Sequence, residues 1–207
     1  MMSWAMLSVF VPTFLLVSLT PGMCMTLAMV LGMTQGVKRT LWMMIGELIG
    51  VGLVAAAAGV GVAALMLKHP EVFAIFKWVG GAYLAYLGVM MWRSRGRMAI
   101  PSELDTGPPA GRWQLAMQGF VTAVANPKGW AFFMVLLPPF LDSNRPLAHQ
   151  LALLIAVILS IEFASMLVYA TGGKTLRSVL GKSGNVRLMN RIAGTLMIGV
   201  GGWLALG

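Results

Sequence analysis

The sequence predicts an all-α integral membrane protein of six transmembrane helices, arranged as two inverted three-helix repeats with helices 1 and 4 interrupted at proline. Three observations predict it. Of the 207 residues 58% are hydrophobic and only 10% charged, with a mean hydropathy of +0.84, far outside the soluble globular range. The apolar residues gather into six runs, and about 20 helical residues span a hydrocarbon core of roughly 30 Å. The halves also echo each other in order: Pro21 and Pro127 lie 106 positions apart, Glu47 and Glu162 115, and Lys77 and Arg191, Gly80 and Gly194, and Gly88 and Gly202 each 114. An ordered series of Pro, Glu, base and Gly points to internal duplication. Three spans per half is an odd number, so the second copy must lie inverted in the membrane.

The first run, about Trp4 to Gly32, contains Pro12, Pro21 and Gly22, which mark it as interrupted. No Lys or Arg precedes Lys38, so it lacks the basic n-region of a cleavable signal peptide and is expected to be retained. The second run, Leu41 to Leu67, carries Glu47 within Gly46-Glu47-Leu48-Ile49-Gly50, a small-xxx-small pattern that permits close approach of another helix. The third is Glu71 to Trp92. A link at about 94–112, Arg-rich and then Pro/Gly-rich through Gly107-Pro108-Pro109, reads as a cytoplasmic connector between halves of about 1–93 and 113–207, within one transmembrane domain of residues 1–207. The fourth run, Leu115 to Leu141, is broken by Ala125-Asn126-Pro127-Lys128-Gly129. The fifth, Leu147 to Thr171, carries Glu162, and the sixth is Leu188 to Leu206.

The bases set the orientation. Odd-numbered links hold Lys38, Arg39, Arg93, Arg95, Arg97, Arg112, Lys174, Arg177, Lys182, Arg187 and Arg191, whereas even-numbered links hold only Lys68, Lys77 and Arg145. Excess Lys and Arg mark the cytoplasmic side, so six spans place both termini outside; a re-entrant Pro segment would leave five spans and termini on opposite sides. The net charge of +9 is dispersed among short links and forms no single patch, which excludes a nucleic-acid partner. Gly173-Lys174-Thr175 and Gly181-Lys182-Ser183 resemble P-loop endings but lack the earlier glycine and the preceding strand. With no ATP-binding, nucleophile-elbow or zinc-protease motif, the sequence predicts no enzyme and no cofactor.

Inverted repeats with broken helices place a transporter's site near the midplane, where half-helix N-termini face anionic groups. Lys128 is the leading site candidate, because a cation inside an apolar segment is costly unless it faces a cavity or partner. Thr20, Pro21 and Gly22 form the matching break, and the backbone donors of Met23, Cys24 and Met25 beyond it are placed to receive a carboxylate. Glu47 and Glu162, the only acids in apolar runs, are expected to carry proton coupling or receive an ammonium. Met23-Cys24-Met25 offers soft ligands for a metal such as Cu(I), which keeps a metal or other cation permease as the rival, beside a non-transporting membrane scaffold. With 18 methionines in the chain, gap-filling in apolar packing accounts for them better.

Thr20-Pro21-Gly22, Gly46-Glu47, Asn126-Pro127-Lys128 and Glu162 together resemble the LysE/RhtB family of bacterial amino-acid exporters over the whole chain. One departure is Met23, where the family's Thr-Pro-Gly-Pro motif has its second Pro. The resemblance implies a multi-pass protein of the bacterial inner membrane, working as a homodimer or other homo-oligomer. It implies efflux of amino acids or close derivatives, with Thr20, Pro21, Gly22, Met23, Asn126, Pro127 and Lys128 around a small zwitterionic substrate. The proton gradient is the expected driving force, leaving substrate, protons and the lipid bilayer as partners.

Overall fold

The computed structural model describes residues 4–94, 110–142, 145–180 and 183–206, and throughout them the chain forms helices joined by short links. They are α1 (Trp4–Leu19), α2 (Met23–Thr34), α3 (Val37–Lys68), α4 (Pro70–Arg93), α5 (Arg112–Val124), α6 (Pro127–Leu136), α7 (Leu147–Leu180) and α8 (Ser183–Leu206), with one 3₁₀ turn at Pro138–Phe140. Three segments are long and apolar enough to cross a membrane unaided: Val37–Lys68, Glu71–Arg93 and Leu147–Gly173. A fourth span is added if Leu7–Leu19 and Met23–Thr34, bent by 57°, count together. The protein is a multi-pass membrane protein.

Several expectations are refined. Pro12 does not interrupt the first segment. It lies inside α1, and the Thr13 hydroxyl beside it donates to the Val9 carbonyl at 2.7 Å. The break falls only at Thr20–Gly22. The fourth segment starts at Arg112 rather than Leu115, breaks at Ala125–Asn126 and ends at Leu136, because Pro138 and Pro139 turn the chain into a 3₁₀ turn. The fifth continues past Thr171 through a kink at Gly173 (φ 23°). Most of the expected connector, residues 95–109, lies outside the described residues, as does Gly181-Lys182.

Backbone contacts at glycine fix the packing. A Cβ at Gly46, Gly50 or Gly119 would collide with the facing helix, so α3 and α5 touch almost backbone to backbone, as the small-residue pattern around Glu47 predicts. The α4–α8 pair is antiparallel and reciprocal: Gly81 abuts the Gly201 carbonyl and Gly201 that of Gly81, while Gly88 and Gly194 are paired the same way. At one end of this pair Arg191 lies 4.8 Å above the Trp92 ring, whose Nε1–H donates to Thr195 at 3.0 Å. Arg112 over Trp42, at 5.5 Å, ties α5 to α3 with the same chemistry. α3 is the hub, also packing on α2, α4, α6 and α7.

Two apolar clusters fill the interior. One joins Phe10, Phe14, Phe132, Phe133, Phe140 and Leu154, and the other is built on Met25, Met29, Met43, Met44, Met166 and Tyr169. The candidate site opens between them.

Candidate functional site

The site begins with two helices that stop inside the apolar layer. At the end of α1, carbonyls lose their partners because Pro21 has no N–H and Gly22 turns the chain. Those of Leu16, Val17 and Leu19 are taken up locally or from α7. The Thr20 hydroxyl donates to the Leu16 carbonyl at 2.9 Å, the Thr20 N–H to that of Val17 at 3.2 Å, and the Tyr169 hydroxyl to that of Leu19 at 2.7 Å. Ser18 donates to Ser165 on α7 at 3.0 Å. Gly22 then caps α2 without a side-chain hydrogen bond, so the first-turn N–H groups have no helical acceptor. The second break is repaired within its own half: the Trp130 indole N–H donates to the Val124 carbonyl at 2.9 Å.

Both breaks border one cavity of about 370 Å³. Its polar rim comprises Ser18, Thr20, Gly22, Cys24, Asn126, Glu47 and Glu162, and its apolar wall is Phe14, Val17, Val51, Val54, Phe132 and Phe133. Glu47 is only 1% exposed and accepts a hydrogen bond from the Cys24 thiol. Among the described residues its Oε2 has no partner, an acceptor that a donor entering the cavity would satisfy. The cavity therefore pairs this carboxylate oxygen with the first-turn N–H groups and positive dipole end of α2.

A family model for the LysE type translocator matches residues 15–207, which contain both breaks and both acids. The chain belongs to the LysE type translocator family. Among its relatives this translocator is 27% identical over 193 residues to an uncharacterized membrane protein of Vibrio cholerae, covering 93% of each chain. It is equally similar, over 93% of its own length and 92% of the relative's, to the homoserine/homoserine lactone efflux protein of Salmonella typhimurium. It is 27% identical over 191 residues to the leucine efflux protein of Enterobacter sp., with 90% and 89% covered. No solved structure matches it.

Of the residues singled out in the sequence, Thr20, Pro21, Gly22, Met23, Asn126, Glu47 and Glu162 meet at the translocator's cavity. Pro127 and Lys128 open α6 between the cavity-lining Asn126 and Gly129, but their side chains lie outside the described residues. Met23 takes part through its position at the head of α2, since its side chain is 54% exposed. Met25 borders the same cavity as Met23 and Cys24, and is otherwise buried in the methionine cluster. Sequence reasoning missed the aromatic wall and the α7 contacts. The spacing Glu47, Val51, Val54 is one helical stripe and carries a signal for the wall.

Proposed function

We propose that this translocator is a secondary transporter exporting an amino acid or close derivative from the cytoplasm across the bacterial inner membrane, driven by the proton gradient. The observation that carries the reading is the cavity's pairing of Glu47 Oε2, an acceptor without a partner among the described residues, with the first-turn N–H groups of α2, which have no acceptor within the helix. A zwitterion supplies the complement of both: its ammonium meets Glu47 or Glu162, and its carboxylate meets the N–H groups after Gly22 and the cation at Lys128. The homoserine and leucine efflux proteins among its relatives support the same chemical class.

The mechanism needs two half-sites that open in turn, and we take the chain as six spans in two inverted repeats with both termini outside, assembling as a homo-oligomer. The reciprocal glycine contacts support the inversion, because a twofold axis between α4 and α8 relates Gly81 to Gly194 and Gly88 to Gly201, each 113 apart. That register differs by one from the 114 suggested by glycine matching alone. A proton entering from outside displaces the ammonium from its carboxylate, and the proton's loss to the cytoplasm restores the acceptor.

The test is efflux from cells loaded with single amino acids, followed by reconstitution into vesicles with an imposed pH gradient. Export of at least one amino acid, accelerated by the gradient, is the expected result. No efflux of any loaded amino acid by protein shown to be inserted overturns the reading.

A further inference from the structure

We infer that Tyr169 is a positioning residue for the substrate site, holding the α1–α2 break open toward the cavity from the opposite half of the molecule. In an unbroken helix the Leu19 carbonyl would accept from the N–H of Met23, four residues on. The Tyr169 hydroxyl occupies that acceptor at 2.7 Å, which leaves the Met23 N–H available at the head of α2. Tyr169 is 2% exposed and does not line the cavity, so it acts only through the segment it binds.

The contrast with the other break gives the contact its meaning. At α5–α6 the equivalent repair comes from Trp130, six residues beyond the Val124 carbonyl it serves, so that break is closed within its own half. At α1–α2 the repair comes from 150 residues away, and the Ser18–Ser165 bond beside it joins the same two elements. Because α7 also carries Glu162, two turns before Tyr169 and on the cavity wall, the bond fixes an acceptor for the ammonium relative to donors for the carboxylate. The spacing between the two ends of a zwitterion is thereby set across the interface of the halves.

This rests on the proposed function, and the experiment separates the two. Binding of L-leucine, L-homoserine and L-leucinamide is measured on purified full-length protein, wild type and Tyr169→Phe. The amide keeps the ammonium and loses the carboxylate, so its ratio to leucine reads the positioning of the α2 donors. Tyr169→Phe is expected to weaken leucine binding about tenfold, leave leucinamide within about twofold, and so collapse the discrimination between them. Ser165→Ala, which removes the neighbouring tie without touching the Leu19 carbonyl, is expected to retain the discrimination. If Tyr169→Phe does not fold, fluorotyrosine at 169, a stronger donor of nearly the same shape, is expected to sharpen the discrimination. Unchanged discrimination in the folded Tyr169 variant overturns the positioning role while leaving the transporter reading intact. Absence of binding of any amino acid to the wild-type protein, leucine and homoserine included, overturns both.

Discussion

Replacing Glu47 by Gln tests the chemistry of the site most directly. The substitution preserves shape, and the amide oxygen of Gln can still accept from the Cys24 thiol, so the fold should be retained. What disappears is the charge on a buried acceptor whose Oε2 has no partner among the described residues. A hydrogen bond to a charged group is worth about 1.5–3 kcal/mol, and each 1.4 kcal/mol is tenfold, so amine binding should weaken by about ten- to hundredfold. The pH dependence follows with a definite sign. Protonation removes the charge that holds the ammonium, so wild-type affinity should fall as pH falls, whereas Glu47→Gln should bind weakly at every pH. Isothermal titration of the purified protein and counterflow in vesicles at several pH values would measure both. Binding within twofold of wild type with the same pH profile would sink the assignment of Glu47 and leave Glu162 as the acid to test.

Lys128→Ala should abolish export while the protein still inserts, and Lys128→Arg should be impaired because guanidinium and ammonium differ in shape and hydration; undiminished export by reconstituted Lys128→Ala refutes a role for the charge. Gly119→Leu should drive a side chain into the Met43 carbonyl and the Glu47 backbone, costing about 1–3 kcal/mol or more, seen as a lower melting temperature in detergent; an unchanged melting temperature would contradict the close α3–α5 contact. Single cysteines placed in each link, in a Cys24→Ser background, should label from the cytoplasm near Lys38, Arg95 and Lys182 and from outside at both termini. Termini on opposite sides would rule out six spans.

The polar part of the site was legible because a polar residue in an apolar run is conspicuous, and hydrocarbon drives such residues together. Glu47, Glu162, Thr20 and Asn126 lie far apart in sequence and meet around one cavity for that reason. The wall was not legible as such, since Phe14, Phe132 and Phe133 are the same kind of residue as the core phenylalanines they adjoin. Tyr169 was hidden differently. Its significance depends on which carbonyl the break at Pro21 frees, and only the folded chain brings that carbonyl to α7. Pro12 shows the converse hazard, for proline alone does not distinguish a tolerated bend from a break; Gly22 following Pro21 does.

The drifting interval between the halves also acquires a physical explanation. The separation is 106 at the prolines and 115 at the acids, so the second half holds nine extra residues between break and acid. Part of the excess lies in the connection: Gln35 and Gly36 alone join α2 to α3, whereas α6 reaches α7 through the Pro138–Phe140 turn and the link that follows it. Gln150 braces that link, its Oε1 accepting from the Asp142 N–H at 2.8 Å and its Nε2 donating to the Asp142 carbonyl at 2.9 Å. Phe140 anchors the turn against Phe10 and Trp203. The first turns of α7 add more, since Glu162 is fifteen residues into its helix and Glu47 ten into α3, while the stretch from Pro127 to the end of α6 is shorter than that from Pro21 to the end of α2 and offsets part of the gain. The described residues of the turn and link do not line the cavity. An insertion there lengthens the path between break and acid without moving either from the cavity, which is why both acids can face one site although the interval from proline to acid differs between the two stretches.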